Sequence, residues 1–221
     1  MAVFRANVKV DMTGNSGGGN VTYIDRYSNA IEFGFKGGYE VLRGDFDYYG
    51  KVPYGYVYTD VTYNNYGEIL VTWNADGAYY RSEDIYNMVA KGQTKQLFKY
   101  MFYLNDDIRG SLGNDKLKGY NGDDFIDGWR GNDKLWGGPG RDIFFFARGD
   151  GKDVIKDFAR KKDTIFLEDD LAWNYRDVKD AAEKYKKGVV LDFGSNSQIK
   201  IEGLKMKQLK KVDFDFVDFV V

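Results

Sequence analysis

Residues 1–104 consist largely of short runs in which β-branched and aromatic residues alternate with polar ones. Gly55–Tyr63 is almost entirely β-branched or aromatic, Glu68–Trp73 is a second such run, and turn-forming asparagines follow each of them. The same region holds 15 of the 18 tyrosines. Strand alternation places Tyr56 and Tyr58 on one face, so the pattern predicts a sheet with an aromatic face.

A helical period interrupts the strands near the end of this region. Ser82 is a suitable N-cap, and Ile85, Met88 and Val89 then share one face of a helix. A second short helix is predicted over 93–102. Residues 1–104 are therefore expected to form a β-rich α+β domain, with a flexible glycine loop over 15–20.

Residues 105–145 change to a nine-residue period. The four units are 110–118, 119–127, 128–136 and 137–145, each with Gly at places one and four and Asp at place six. Place eight is always large and apolar: Leu117, Ile126, Leu135 and Phe144. A degenerate unit with Asp106 and Ile108 in phase precedes them. This period is typical of a parallel β-helix or β-roll.

The period has a physical explanation. Glycine allows a tight turn with inward-pointing carbonyls, and the last three residues extend as a strand whose eighth place faces the interior. Successive turns alternate sides, so units 18 residues apart stack. Calcium between stacked turns then receives a carboxylate from each turn, plus carbonyls, within its usual six to eight oxygens. The expected pairs are Asp115 with Asp133 and Asp124 with Asp142, and a further site joins Asp106 to Asp124. A flexible linker is the alternative, but it gives no reason for the apolar eighth place.

Two absences restrict the chemistry. The chain has no Cys and no His, which excludes disulfides, thiolate sites, the serine-protease triad and histidine-based zinc sites. Any metal must be bound by oxygen, as Ca²⁺ prefers. The net charge of −2 gives no general basic field for nucleic acid.

Residues 171–221 are expected to cap the array. Tyr175–Lys187 is predicted to be a charged helix, and Gly188–Phe193 and Gln198–Glu202 the two strands of a hairpin. Apolar residues alternate along both strands, so the hairpin is expected to continue the stack. The sequence thus predicts a mainly β chain: a parallel β-roll with a C-terminal β cap over 105–221, preceded by the domain over 1–104.

Residues 105–221 resemble the RTX family, calcium-binding repeat proteins that Gram-negative bacteria export by type I secretion. Beyond the repeats, residues 149–158 and 163–167 are similar to the segment that closes the roll in serralysin-type and epimerase-associated modules. This resemblance implies a last calcium site supplied by Asp150 and Asp157. It also implies carbonyl ligands: Ser111, Gly113, Gly128 and Arg130 with the first aspartate pair, and Tyr120, Gly122, Gly137 and Pro139 with the second. The chain departs from the family at Ser111, Tyr120 and Trp129, which replace the second glycine and are expected to strain the turn.

The resemblance also implies a location and partners. The N-terminus lacks the apolar core of a signal peptide, and no run approaches the roughly 18 apolar residues that span a bilayer. The tail, Leu204–Leu209 with 213–221, is similar to an uncleaved export signal, although it is also compatible with a last strand of the roll. We therefore expect recognition by the type I secretion machinery, an extracellular or cell-surface location, and folding when calcium is met outside the cell.

The role of residues 1–104 stays open between two classes. A non-enzymatic binder of polysaccharide or cell surface, or a self-assembling matrix protein, suits the tyrosine-rich strands and the small size. A small polysaccharide-modifying enzyme is the alternative; Asp45 and Asp47 share a strand face and suit an acid–base pair, or simply a solvated face. A fainter resemblance to secreted haem-acquisition proteins, through Phe46-Asp-Tyr48, implies Tyr48 as a haem ligand, without that family's usual histidine.

Overall fold

Within the residues that the structure describes, the N-terminal half consists mainly of strands. The computed structural model describes residues 3–6, 23–26, 30–35, 38–49, 52–64, 69–74, 80–81, 84–85, 87–88, 91 and 93–217, with side chains from residue 81 onward except 94, 95, 98 and 217. The elements are β1 (Val3–Ala6), β2 (Tyr23–Arg26), β3 (Ala30–Phe35), β4 (Gly38–Tyr49), β5 (Val52–Asn64), β6 (Ile69–Asn74), β7 (Tyr80–Arg81) and α1 (Thr94–Met101).

Most of the elements predicted for this half are present. The run 55–63 falls in β5, residues 69–73 of the second run fall in β6, and α1 confirms the helix predicted over 93–102. Residues 84–85 and 87–88 are helical. The glycine loop, Ser82, Val89 and the side chains of Asp45, Asp47 and Tyr48 lie outside the described residues.

The C-terminal half is built from short strands. They are β8 (Asp107–Arg109), β9 (Lys116–Lys118), β10 (Phe125–Asp127), β11 (Lys134–Trp136), β12 (Ile143–Phe146), β13 (Gly151–Ile155), β14 (Thr164–Glu168), β15 (Ala182–Tyr185), β16 (Gly188–Asp192), β17 (Ser197–Glu202) and β18 (Phe214–Val217), with α2 (Tyr175–Ala181) before β15. Two single-turn 3₁₀ helices, Met206–Gln208 and Lys211–Asp213, precede β18.

The strands alternate between two parallel sheets, as expected for a β-roll. One sheet runs in the order β8, β10, β12, β14, β18, and the other in the order β9, β11, β13, β17. Ile126 is in register with both Ile108 and Phe144, and Leu135 with Leu117. All five side chains are fully buried. The eighth place of the repeat therefore forms the core between the sheets, where burial of each such side chain contributes about 1.5–3 kcal/mol.

The cap extends this core, as predicted. The strands β16 and β17 form an antiparallel hairpin, and β17 is parallel to β13, so that Ile201 stacks on Ile155 inside the roll. At the far end of the other sheet, β18 pairs in parallel with β14. Residues Phe214–Val217 of the tail thus form the last strand of the roll within the described residues. The role of the tail in export stays a prediction.

One predicted helix is shorter than expected. Asn174 caps α2 by accepting from the backbone N–H of Arg176 at 2.8 Å, but the helix ends at Ala181 rather than Lys187. Residues 182–185 instead form β15, which pairs antiparallel with β16. The backbone groups of β16 on that side need partners, and a strand satisfies them while a helix does not.

The two halves share hydrogen bonds through β1. This strand is antiparallel to β6 and parallel to β8, so the sheet of the roll continues into β6, β5, β4, β3 and β2. The division into domains at residue 104 stays a prediction. Within the described ranges, no helix is long and apolar enough to cross a membrane.

Candidate metal centre

The turns between the short strands adopt the strained backbone that the sequence predicts. At the second place of the repeat, Tyr120 has φ 70°, Trp129 has φ 58° and Gly138 has φ 97°. Non-glycine residues resist this left-handed region by about 1–2 kcal/mol, so Tyr120 and Trp129 confirm the expected strain. Ser111 does not have a positive φ. Its hydroxyl instead donates to Asp115 Oδ2 at 2.9 Å.

The sixth-place aspartates form two ladders, one on each side of the roll. On one side the backbone N–H of Asp106 donates to Asp124 Oδ1 at 2.8 Å, and that of Asp124 donates to Asp142 Oδ1 at 3.1 Å. On the other side the N–H of Asp115 donates to Asp133 Oδ1 at 2.7 Å. The structure thus stacks the aspartates in the three predicted pairs. Their role as calcium ligands stays a prediction.

The ladders leave one oxygen of several carboxylates without a donor. Asp124, Asp133 and Asp142 are at most 1% exposed, and the Oδ2 atom of each has no hydrogen-bond partner. A buried carboxylate oxygen in this state costs several kcal/mol unless a cation or donor compensates it. Three such atoms, two in one ladder and one in the other, are a recurring feature of the fold that a cation would explain.

The pKa values of these aspartates also show that their charged form is unfavourable in the folded roll. Burial, with added repulsion from neighbouring carboxylates, raises the pKa of Asp124 and of Asp133 from 3.8 to about 8, and that of Asp142 to about 7. The charged form is unfavourable because each group is removed from water beside other acids. A bound divalent cation would reverse this balance, since it adds positive charge where the carboxylates converge.

Backbone carbonyls face the same carboxylates. A methyl group added to Gly119 would overlap Asp124 Oδ2 and lie 2.7 Å from the carbonyl oxygen of Gly137. One added to Gly110 would lie 2.9 Å from Asp115 Oδ2 and against the carbonyl of Gly128. These glycines leave open the space in which a carboxylate of one turn and a carbonyl of the stacked turn meet.

Two of the other predicted carbonyl ligands lie close to a carboxylate of the ladders. The carbonyl of Gly113 and the carboxylate of Asp133 both lie close to the space beside the Cα of Gly131. The carbonyl of Gly122 and the carboxylate of Asp142 lie in the same way beside Gly140. The Pro139 carbonyl accepts from the N–H of Gly122 at 3.2 Å, and the Tyr120 carbonyl abuts Gly138. Arg130 is exposed. The role of these carbonyls as ligands stays a prediction.

Asp150 and Asp157, expected to share a last site, lie with different turns. Asp150 accepts from the N–H of Ala147 at 2.6 Å, and its charge raises the pKa of Asp133. Asp157 accepts from the N–H of Gly137 at 3.0 Å on the other side of the roll, and its charge raises the pKa of Asp142. The structure does not bring the two together.

The ladders continue instead through two aspartates that the sequence analysis missed. The N–H of Asp133 donates to Asp153 Oδ1 at 2.9 Å, and that of Asp142 to Asp163 Oδ1 at 3.3 Å. Their spacings of 20 and 21 residues break the period. Asp153 still follows Gly151 by two places, as Asp133 follows Gly131, and this signal could have found it. Nothing comparable precedes Asp163.

Short parallel strands, glycine turns and stacked aspartates together define a parallel β-roll of nonapeptide repeats. Residues 103–135 and 130–155 match the family model of the RTX calcium-binding nonapeptide repeat, given as four copies. This region of the chain therefore belongs to the RTX calcium-binding repeats. Within the described residues, no group of three or more His, Cys, Asp or Glu side chains has an arrangement that could hold a metal ion by itself.

Two solved structures are similar in fold. The AlgE6R3 subunit of the Azotobacter vinelandii mannuronan C5-epimerase is 24% identical with a TM-score of 0.34, over 54% of this chain and 83% of that one. The extracellular lipase LipA from Serratia marcescens is 15% identical with a TM-score of 0.40, over 94% of this chain but only 32% of the lipase. A comparison with curated proteins gave no match.

Proposed function

We propose that the roll binds Ca²⁺ between stacked turns and that this binding drives its folding. The observation that carries the proposal is the set of buried, unpartnered carboxylate oxygens on Asp124, Asp133 and Asp142. A backbone carbonyl of a stacked turn lies close to each of these carboxylates: that of Gly137 near Asp124, that of Gly113 near Asp133 and that of Gly122 near Asp142. Carboxylate and carbonyl oxygens together suit Ca²⁺. The two best-defined sites lie between Asp115 and Asp133 and between Asp124 and Asp142.

The same carboxylates make the folded roll unfavourable without calcium. Charged groups packed 18 residues apart in sequence but adjacent in space repel one another, so the binding energy of the metal becomes folding energy. This supports a protein that stays unfolded at low cytosolic calcium and folds outside the cell at millimolar calcium. Type I export through the C-terminal tail and an extracellular or cell-surface location are parts of the same proposal.

The test compares Asp133→Asn with Asp180→Asn. Asp133 is fully buried in a ladder, whereas the side chain of Asp180 is 74% exposed on α2. Calcium is titrated while the far-UV circular dichroism of each full-length variant is recorded. We expect Asp133→Asn to raise the calcium concentration at the midpoint by about tenfold or more, because ligand charge tunes calcium affinity. Asp180→Asn should match the wild type.

A structural role alone would give a different result for Asp133→Asn. It would lower stability equally with and without calcium, whereas loss of a ligand should not reduce the ordered content in EDTA. Equal midpoints for the two variants, or circular dichroism unchanged by EDTA in the wild type, would refute the proposal.

For residues 1–104 we propose a non-enzymatic role in binding polysaccharide or cell surface, or in building a matrix. The support is the tyrosine-rich sequence of β5. Size measurement with and without calcium tests assembly. A glycan array at millimolar calcium, followed by a reducing-sugar assay on any ligand found, separates a binder from the polysaccharide-modifying enzyme that is the alternative.

A further inference from the structure

Asn121 is the only asparagine of the chain that is followed by glycine. Asparagine is one of the thermolabile residues of proteins, because the backbone nitrogen of the next residue can attack its side-chain amide. Glycine leaves that nitrogen unhindered, since it has no Cβ. Asn121 is exposed and occupies the third place of the unit 119–127. A reactive dipeptide thus lies in a turn of a candidate calcium site.

In the folded roll the attacking nitrogen is already engaged. The backbone N–H of Gly122 donates to the carbonyl oxygen of Pro139 at 3.2 Å, in the turn that follows on the same side of the roll. The carbonyl of Leu104, in the turn before, packs so closely that a Cβ on Gly122 would overlap it. A nitrogen held between two stacked turns reacts only when the turn opens, so folding should slow the attack.

The asparagines at the fifth place of the repeat differ from Asn121 in two ways. Asn114 and Asn132 are each followed by aspartate, whose side chain hinders the backbone nitrogen. Their side-chain oxygens also bind the next turn: that of Asn114 accepts from the N–H of Asn132 at 2.7 Å, and that of Asn132 from the N–H of Lys152 at 3.0 Å. Both are exposed, as Asn121 is, and they serve as comparisons within the same chain.

We propose that Asn121 is a site of spontaneous deamidation that calcium-induced folding protects. The backbone nitrogen of Gly122 bonds to Cγ of Asn121, the Cγ–Nδ2 bond breaks, and the proton from the attacking nitrogen leaves with Nδ2 as ammonia. Water then opens the five-membered imide at either of its carbonyls. One product is aspartate. The other is isoaspartate, in which the main chain passes through Cγ and is longer by one methylene group.

The isoaspartate product does not suit the turn. Gly122 is packed between neighbouring turns, and its carbonyl lies close to the carboxylate of Asp142 beside Gly140. Asp124, which faces the same candidate calcium site, follows Gly122 by only two places. An additional backbone atom would move these oxygens relative to one another, and calcium affinity depends on the rigidity and number of its ligands. Time spent without calcium would therefore be recorded as a lasting loss of calcium affinity.

The calcium dependence of this reaction rests on the function proposed above. The full-length protein is incubated in EDTA or in millimolar calcium at about pH 9, where the buried aspartates are charged and favour the unfolded chain unless calcium is bound. Peptide mass spectrometry measures deamidation at Asn121, Asn114 and Asn132. We expect Asn121 to react at least about tenfold faster in EDTA than in calcium, because the folded turn must open first. In EDTA it should also react faster than Asn114 and Asn132.

The second measurement tests the consequence for folding. Asn121→Gln keeps an amide but reacts more slowly, since its attack closes a six-membered ring. The third place holds Leu112, Arg130 and Pro139 in the other units, so a change of side chain there should be tolerated. After incubation in EDTA, the wild type should need at least about threefold more calcium at the folding midpoint than wild type kept in calcium, because the ligands are displaced. Asn121→Gln should show no such change.

Equal deamidation of Asn121 in EDTA and in calcium, in a chain that circular dichroism shows to fold with calcium, would overturn the inference. So would an equal change of midpoint in the wild type and in Asn121→Gln. If Asn121→Gln does not fold, chromatography separates the isoaspartate form of the wild type from the unmodified form, and equal midpoints for the two would refute the inference.

A calcium titration by circular dichroism on the same samples distinguishes the two proposals. A wild type that does not respond to calcium refutes the proposed function. In that case the wild type unfolded in urea replaces the EDTA arm, and Asn121 should still react faster there than in the folded chain. Equal rates would show that the stacked turns do not protect Asn121.

Discussion

Without calcium, the roll should become more stable as the pH falls. The pKa of Asp124 and of Asp133 is about 8 in the fold and 3.8 in its ordinary state. Between these values the folded chain binds more protons than the unfolded chain, so the free energy of unfolding rises as the pH decreases through about 8. For a calcium-free carboxylate of this kind the gain continues until the pH falls below 3.8.

The size of the effect follows from the pKa values. Between pH 9 and pH 6 a carboxylate with a pKa of about 8 stabilises the fold by about 3 kcal/mol, since it takes up its proton over roughly two pH units. Asp142, with a pKa of about 7, gains about half of this. Neighbouring carboxylates share the gain, so we expect about 3–6 kcal/mol in total, comparable to the whole stability of a small domain.

The assay is far-UV circular dichroism with urea denaturation, in EDTA, at several pH values from 6 to 9. This window stays above the sequence pI of 5.4, where low net charge favours association. We expect ordered strand content in EDTA at pH 6 and its loss toward pH 9. The calcium-saturated protein is the control and should respond in the opposite direction, because protons compete with calcium for the same carboxylates. Calcium-free protein that is equally ordered at pH 6 and pH 9, or more ordered at pH 9, would refute the account of the buried aspartates.

Two further predictions concern single positions. Gly119→Ala should prevent calcium-induced folding, since a Cβ there overlaps the carboxylate of its own turn. Gly149→Ala should lower the free energy of unfolding by only about 1–2 kcal/mol, because Gly149 has φ +88° but no atom within 4 Å of the added Cβ. Circular dichroism during a calcium titration compares the two variants, and similar losses would contradict the role given to the turn. Arg160→Gln should lower the free energy of unfolding by about 2–3 kcal/mol, because it removes the guanidinium that lies 3.4 Å from the fully buried carboxylate of Asp213. Arg176→Gln, on the exposed face of α2, should change this free energy little. Urea denaturation in calcium measures both variants, and equal effects would show that burial is not the cause.

The repeats made much of the roll predictable, because each unit contains its own reasons for folding. A glycine that permits the turn, an aspartate two places after a glycine and an apolar eighth residue recur every nine positions. Stacking at twice that distance follows from the alternation of sides. The core residues Leu117 and Ile126, the pairs of aspartates and the parallel sheets could therefore be derived without coordinates. The hairpin of the cap was also predictable, since its apolar residues alternate with polar ones.

Features outside the nine-residue repeat were decided by the tertiary structure. Asp153 and Asp163 join the ladders only because the chain closes longer turns onto the existing stack, and Asp150 and Asp157 are separated for the same reason. Residues 182–185 form a strand because β16 offers unpaired backbone groups, which local helix propensity does not reveal. Sequence alone specified the repeating unit, whose interactions are local or periodic, while pairing between distant segments determined where the ladders end and which charges meet.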